Sequence, residues 1–256
     1  MTKFIVALQF LTRIQVNSSI IVDEQTFGKS MAYFPLVGLV IGLILAGSYY
    51  FLSLIFTPLI TAAFLIWLEV AISGGLHLDG FMDTMDGIYS GRSRERILEI
   101  MRDSRVGAHS VIALACLFLI KLTTIADYPA HRLIPVLILV PMLARLTQLI
   151  GVVCFPYVRE EGLAKSFNRY IQKKNLYLAS LFSLVVCIII KGLLGVILLI
   201  STFSLALIGG RYITSKIGGL TGDVYGAITE LTTVVLLIMG YLFTKTNYDM
   251  AVFLPW

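Results

Sequence analysis

The chain has 256 residues, of which 58% are hydrophobic and only 14% charged, and its formal net charge is +5. Soluble domains are about 45–50% apolar and about 25% charged, so this composition excludes an ordinary soluble enzyme and predicts a polytopic membrane protein. Cys116, Cys154 and Cys187 stand apart inside apolar runs, which favours buried side chains over disulfides or metal ligands.

Seven apolar segments are predicted to cross the membrane as one helical domain covering residues 1–256. The N-terminal segment 1–16 is short, contains Lys3 and Arg13 and lacks a signal-peptide pattern, so we expect an uncleaved interfacial helix before the polar stretch 17–31. The run 176–210 is too long for one span of about 20 residues and is divided at Lys191-Gly192. The predicted spans are about 32–56, 59–76, 107–126, 133–154, the two halves of 176–210, and 224–243.

Three longer polar loops are expected at one end of this bundle: 77–106, 155–175 and 211–223. An even number of spans separates them, so they share a side with the N-terminal region. That side receives fifteen of the twenty Lys and Arg residues, against three on the other side. Because cytoplasmic loops of membrane proteins are enriched in Lys and Arg, we expect a protein of the cell (inner) membrane whose polar loops face the cytoplasm.

The first polar loop contains an aspartate stripe. Asp79, Asp83 and Asp86 have offsets of 0, +4 and +7, which on a helix place them within a stripe about 60° wide. A single aspartate after a span is commonly a cap or turn residue, but these three alternate with large apolar residues. Crowded carboxylates repel one another unless a cation joins them, and Mg²⁺, or alternatively Mn²⁺, prefers such oxygen ligands and bridges them to phosphates. The stripe predicts a metal site for phosphate chemistry at the cytoplasmic face.

An arginine-rich segment follows the stripe. Residues 93–106 are predicted to form one amphipathic helix, with Ser93 as its N-cap and Gly107 after its end. The arginines could hold anionic lipid headgroups, or pair with phosphate oxygens and neutralise charge during group transfer. Asp103 is either the ion-pair partner of Arg102 or Arg105, or a further ligand. The five arginines are Arg92, Arg94, Arg96, Arg102 and Arg105.

Other candidates flank the stripe. Gly74 and Gly75 would allow close backbone approach to a substrate, or serve as packing devices at the end of a span. His77 is a candidate general base or an interfacial hydrogen-bonded residue. Glu69 and Arg145 lie inside spans, where ionised groups are costly, so we expect them to pair or to line a site.

The remaining polar loops supply weaker candidates. In the third loop, Thr221 and Asp223 stand among glycines at the start of the last span, where Asp223 could complete the metal site or act as a cap. Glu230 follows on nearly the same helical face. In the second loop, Lys165 could contact a phosphate or belong to a solvated basic loop.

Three motifs carry a resemblance to a known family. They are GGLHLDGFMDTMDG from Gly74, RSRER from Arg92 continuing into EIMRDSRVG from Glu99, and TGDVYGA from Thr221. With these motifs the sequence resembles the adenosylcobinamide-GDP ribazoletransferases, also called cobalamin 5′-phosphate synthases. The resemblance implies an Mg²⁺-dependent inner-membrane enzyme that joins adenosylcobinamide-GDP to α-ribazole or α-ribazole 5′-phosphate and releases GMP.

In the mechanism consistent with the resemblance, Asp79, Asp83 and Asp86, with Asp223, hold metal on the diphosphate. The arginines stabilise the leaving GMP, and His77 or an uncoordinated carboxylate takes the hydroxyl proton. The expected partners are the two substrates and membrane lipid, with no nucleic acid; a homo-oligomer is compatible with the sequence.

Alternative functions share membrane aspartates. CDP-alcohol phosphotransferases begin their motif with Asp-Gly-x-x-Ala-Arg, which the sequence at Asp79 lacks. Polyprenyl transferases use Asp-x-x-x-Asp, which Asp79 and Asp83 satisfy. A cation or metabolite transporter would spread acidic groups through the bilayer, with Glu69 and Arg145 on its pathway, whereas here most acids cluster at one interface.

Overall fold

The computed structural model describes residues 2–16 and 22–245, and the regular structure in those ranges is helical. Part of the predicted polar stretch (17–21) and the tail after residue 245 lie outside the described residues. The helices are α1 Thr2–Leu11, α2 Glu24–Ser30, a 3₁₀ turn Met31–Tyr33, α3 Phe34–Leu52, α4 Pro58–Ser73, α5 Leu76–Tyr89, α6 Arg94–Ile100, α7 Ala108–Ala126, α8 Ala130–Cys154, α9 Leu163–Tyr170, α10 Lys173–Ile217 and α11 Gly222–Lys245.

The predicted all-α membrane fold is confirmed. In the described ranges, five helical segments are long and apolar enough to cross a membrane: Glu24–Leu52, Ala108–Ala126, Ala130–Cys154, Lys173–Ile217 and Gly222–Thr244. Helices α4 and α5 are bent by 94° relative to each other and add a sixth if they are counted as one broken span. The predicted count of seven is reached only if α10 contributes two spans, and that count stays a prediction.

The 45-residue helix α10 is interrupted where the sequence indicated. Gly192 has φ 50° and ψ −124°, a conformation outside the helical region. A Cβ added to Gly195 would lie 2.3 Å from the carbonyl oxygen of Cys187, eight positions earlier, so the chain folds back on itself here. The expected division at Lys191-Gly192 is therefore confirmed as a break in the helix.

Helix α8 forms the centre of the bundle. In the 18-residue apolar stretch of α8 that could cross a membrane, 89% of the residues are buried. The helix packs against α3, α10 and α11. Its contact with α3 is close, because a Cβ on Gly38 or Gly42 would come within 2.3–2.4 Å of carbonyl oxygens of Pro141 and Ile138. In a bilayer, where apolar burial drives helix association weakly, such close backbone approach is a principal source of packing energy.

A buried ionic network joins four helices. Lys121 of α7 lies 2.7 Å from a carboxylate oxygen of Glu69 on α4 and 3.5 Å from Glu230 on α11. Arg145 of α8 is 3.9 Å from Glu69. The predicted pairing of Glu69 with Arg145 is thus confirmed, and two further charges complete it. Two anions and two cations neutralise each other inside the bundle, where an unpaired charge would be costly.

Several predicted boundaries were wrong. The amphipathic helix expected at 93–106 ends at Ile100, because the Asp103 carboxylate accepts the backbone N–H of Arg105 and stabilises a turn in place of a further helical turn. Helix α9 was not predicted within the loop 155–175. Helix α10 continues to Ile217, past the expected end at residue 210. The N-terminal segment forms α1, a ten-residue helix too short to span the bilayer.

Candidate active site

A glycine turn sets the direction of the aspartate helix. Gly74 and Gly75 have φ values of 64° and 74°, in the left-handed region that side chains disfavour, and they link α4 to α5 across the 94° bend. A Cβ on Gly74 would lie 2.0 Å from the guanidinium group of Arg13. The backbone N–H of Arg13 donates to the carbonyl oxygen of Ile72 at 2.7 Å. The structure therefore gives these two glycines a positioning role in the turn.

Helix α5 has two chemically distinct faces. Its buried face includes His77, Gly80, Phe81, Thr84 and Gly87, which pack into the bundle. The opposite face carries the aspartate stripe, as the spacing predicted, since Asp79 is exposed and Asp83 and Asp86 are partly exposed.

Close packing brings Asp223 to the stripe. A Cβ on Gly80 would lie 2.7 Å from the Cα and carbonyl oxygen of Asp223, so α5 and the start of α11 are in backbone contact. Any larger residue at position 80 would force the two helices apart. The third polar loop thus meets the first at the aspartates, as expected for loops on one side of the membrane.

The aspartates line a cleft of about 310 Å³ between α5, the chain after α6 and the start of α7. We call it the carboxylate cleft. Two of the predicted arginines, Arg102 and Arg105, line the same cleft, so carboxylate and guanidinium groups share one cleft. Its lining residues are Asp79, Met82, Asp83, Asp86, Met101, Arg102, Asp103, Ser104, Arg105, Val106 and Ser110.

Asp83 is the most perturbed acid of the cleft. Helix α5 lies outside the five helical segments named as spans, and its Asp83 side chain is half-buried. Burial, then the carboxylate of Asp223, then that of Asp79 raise the pKa of Asp83 to about 7. Crowded carboxylates of this kind are stabilised by a bound cation, which would favour the ionised form.

Asp86 is held by the start of α7. Its two carboxylate oxygens accept backbone N–H groups from Gly107 at 2.7 Å and Ser110 at 2.9 Å. Burial acts to raise the pKa of Asp86, but the hydrogen bonds from Ser110 and Gly107 outweigh it and the pKa is lowered. Asp86 therefore caps a helix while its carboxylate still borders the cleft.

Asp103 is the ion-pair partner of Arg105, which resolves one of the alternatives left by the sequence. Two guanidinium nitrogens of Arg105 donate to its carboxylate. These hydrogen bonds lower the pKa of Asp103 to about 2. Arg102 is exposed, and no hydrogen bond or ion pair joins its side chain to another described residue, so it can donate to a phosphate at the cleft.

Arg159 joins the three polar loops, a role that nothing in the sequence indicated beyond its position in a basic loop. Its Nη2 lies 2.6 Å from Asp223 Oδ2 in the third loop and 3.2 Å from the Met101 carbonyl oxygen in the first. The side chain is only 15% exposed. Beside it, the Val158 N–H donates to the Leu220 carbonyl at 2.9 Å. Arg159 thus positions Asp223 and connects the three loops.

His77 is separated from the carboxylate cleft. It is 4% exposed on the opposite face of α5, and its Nε2 lies 2.8 Å from Gln148 Nε2 on α8. Thr221 is also buried: its hydroxyl accepts the N–H of Val224 and donates to Asp223 at 3.4 Å. Thr221 therefore helps to orient Asp223 through its hydroxyl group. His77 packs inside the bundle.

Three predicted phosphate-binding cations lie away from the cleft. Arg92 is exposed in the turn before α6, and Arg94 is exposed with its guanidinium beside Gly218. Lys165 of α9 donates through its ammonium group to the carbonyl oxygen of Glu160. None of the three borders the carboxylate cleft.

The donor chemistry of the cleft fits Mg²⁺. Among the described residues, no three His, Cys, Asp or Glu side chains converge closely enough to enclose a metal ion by themselves. Mg²⁺ does not need such an enclosure, because it commonly keeps several waters and binds through one or two carboxylates plus substrate phosphates. Asp79 and Asp83 supply two carboxylates that have no hydrogen-bond or ion-pair partner among the described residues.

Comparison with known proteins places these features in a family context. The family model described as cobalamin-5-phosphate synthase matches residues 3–241. The chain is similar to proteins named adenosylcobinamide-GDP ribazoletransferase: it is 38% identical to that of Acetivibrio thermocellus over 94% of this chain and 98% of the relative. It is 39% identical to that of Desulfitobacterium hafniense over 94% and 97%, and 36% identical to that of Clostridium acetobutylicum over 93% and 95%. No solved structure matches the chain.

Proposed function

The chain belongs to the cobalamin-5-phosphate synthase family, and on that premise we propose that it is an adenosylcobinamide-GDP ribazoletransferase. It transfers the adenosylcobinamide-phosphate group of adenosylcobinamide-GDP to α-ribazole or α-ribazole 5′-phosphate. The products are adenosylcobalamin or its 5′-phosphate, together with GMP. The carboxylate cleft is the observation that supports a site for this reaction. Its acids and arginines lie within residues 3–241, the part of the chain that the family model matches.

The reaction exchanges one phosphorus–oxygen bond for another. The ribazole hydroxyl oxygen bonds to the phosphorus on the cobinamide side of the diphosphate, and the bond from that phosphorus to the bridging oxygen breaks. GMP leaves with the bridging oxygen, and the hydroxyl proton passes to a base. Because His77 faces away from the cleft, we assign the base to a cleft carboxylate rather than to His77.

We propose that Asp79 and Asp83 hold Mg²⁺, or alternatively Mn²⁺, with Asp86 and Asp223 beside them. When bound, the metal would act as a Lewis acid on the diphosphate oxygens and stabilise the charge that develops on the leaving group. Arg102 lies on the wall of the same cleft, where its guanidinium can donate to phosphate oxygens. Arg105 lines the same cleft, but the carboxylate of Asp103 balances its charge there.

The proposed location is the cell inner membrane, with the carboxylate cleft on the cytoplasmic side. The support is the Lys and Arg bias of the sequence, together with the contacts among the three polar loops. Arg159 connects all three at one end of the bundle, so a single orientation applies to the whole site.

Release of GMP provides the direct test. Purified protein in detergent or nanodiscs, incubated with Mg²⁺, adenosylcobinamide-GDP and α-ribazole, should release GMP in step with formation of the joined corrinoid. Omitting α-ribazole or chelating the metal should stop both products. GMP release that is unchanged without α-ribazole would indicate hydrolysis and contradict the proposed transfer. Activity that survives chelation would contradict only the proposed metal requirement.

Arg159 should prove to be a positioning residue. Arg159→Met leaves Asp223 beside Asp79 and Asp83 without its cation, so we expect GMP release to fall about 10- to 100-fold, the range typical for groups that orient ligands. Arg159→Lys should recover part of the rate because an ammonium group can still pair with Asp223. The measurement is kcat and the Mg²⁺ dependence of the rate.

The matched control is Arg211→Met, which removes one cation from the exposed surface of α10. If both methionine variants lose the same activity, Arg159 acts only through general surface charge. A positioning role predicts in addition that higher Mg²⁺ concentrations partly rescue Arg159→Met, a response that simple destabilisation would not produce.

A further inference from the structure

A second cavity lies among the N-terminal helices, α9 and the beginning of α10. Its volume is about 450 Å³, and it shares no lining residue with the carboxylate cleft. The lining residues that matter here are Lys3, Lys29, Leu36, Lys174, Leu178 and Phe182. Nothing in the proposed transfer reaction uses this cavity.

The polar part of the cavity is cationic. Lys3, Lys29 and Lys174 come from three different helical segments, and no acidic side chain lines the cavity. No ion pair or hydrogen bond joins these lysine side chains to other described residues. The acid that interacts electrostatically with Lys29 is Asp23, whose carboxylate accepts the N–H of Thr26 as the N-cap of α2. Three ammonium groups around one cavity attract an anion.

Apart from Gln172, Asn175 and two tyrosines, the other lining residues are apolar, and they extend from the lysines along α3 and α10. Lys174, Leu178 and Phe182 are four residues apart on α10 and therefore form one stripe along about 12 Å of helix. Pro35 and Leu36, in the first turn of α3, face the same cavity. Because α3 and α10 both begin here and run into the apolar bundle, we expect the lysines to lie at the level where lipid headgroups meet the hydrocarbon region.

We propose that this cavity binds an anionic phospholipid. The lipid phosphate lies among Lys3, Lys29 and Lys174, and an acyl chain lies along the wall formed by Leu36, Leu178 and Phe182. A soluble phosphate would satisfy the lysines but leave that apolar wall in water, whereas a lipid matches both the charge and the change of polarity with depth. The proposal is independent of the transferase activity.

The test uses the full-length protein in detergent with fluorescent phosphatidylglycerol as the probe. Phosphatidylglycerol should bind at least about tenfold more tightly than phosphatidylcholine with the same chains. Each lysine near an anionic surface contributes about a fivefold change in affinity, so K3Q/K29Q/K174Q should weaken binding roughly 100-fold. The control K173Q/R211Q/K216Q removes three cations that do not line the cavity and should change binding less than about threefold.

A second variant tests the apolar wall. Leu178→Ser should weaken binding of phosphatidylglycerol. Glycerol phosphate has the phosphate but no acyl chains, so its weak competition with the probe should be unchanged in this variant. Equal losses in the two triple variants would overturn the proposal in favour of general surface charge. Equal binding of the two lipids would overturn the anionic preference, and displacement of the probe by inorganic phosphate at micromolar concentration would assign the cavity to a soluble ligand. If the triple variant fails to fold, Lys174→Gln alone, at an exposed position, gives the same comparison against Lys173→Gln.

Discussion

Asp83→Asn is expected to lower GMP release by about 10³-fold while leaving the protein folded. Asp83 lies on the cleft face of α5, half-buried, where the carboxylates of Asp223 and Asp79 both act on it electrostatically. The substitution keeps the shape of the side chain and removes the charge that a metal and a diphosphate require. The rate is measured as GMP release at saturating substrates and at several Mg²⁺ concentrations.

Asp83→Asn should not lose stability along with its activity. In the protein without metal, the Asp83 carboxylate repels its neighbours, so its neutralisation should leave the thermal midpoint unchanged or raise it. Glu99→Gln is the control, because it removes one negative charge from the exposed pair with Arg96 outside the cleft. Near-normal turnover by Asp83→Asn would refute the metal role, and loss of folding would show that the carboxylate is structural.

Lys121→Met is expected to destabilise the protein by about 3–5 kcal/mol, the usual cost of leaving buried charges without their partner. Lys121 is 3% exposed and is the cation between Glu69 and Glu230. Without it, two carboxylates face the single cation Arg145 inside the bundle. Methionine has a similar length, so the loss reports charge more than packing. The measurement is thermal or denaturant unfolding in a fixed detergent.

The double variant Lys121→Met/Glu69→Gln separates charge from packing. It restores equal numbers of positive and negative groups, so it should recover part of the lost stability even though it changes a second buried residue. Leu119→Met, at a 60%-exposed position of the same helix, should unfold like the parent protein. A double variant as unstable as Lys121→Met would show that the network contributes through shape, and an unaffected single variant would show that it contributes nothing.

The local features of the site could be predicted from the sequence. The stripe of Asp79, Asp83 and Asp86 follows from helical periodicity alone, and the meeting of the polar loops follows from the number of spans between them. The pairing of Glu69 with Arg145 follows from the cost of isolated charges in a bilayer. Each of these inferences needs only short-range geometry or a count.

The contacts between distant segments could not be predicted. Arg159 was one of many loop cations, and only the folded chain shows that it contacts both Asp223 and Met101. Asp86 caps α7, 21 residues further along the chain, and that choice of partner depends on the tertiary fold. His77 was separated from the aspartates by the same helical periodicity that gathered them, since a residue two positions before Asp79 lies on the opposite face.

The ionic network of α4, α7, α8 and α11 also bears on how the chain enters the membrane. Helices are inserted in order of synthesis, and the four charges arrive as Glu69, Lys121, Arg145 and Glu230: one anion, two cations, one anion. In this order, the running net charge of these four side chains never exceeds one unit as the helices are added. Helix α7 can therefore be retained by the anion of α4, and α11 by the surplus cation that remains once α8 has been added.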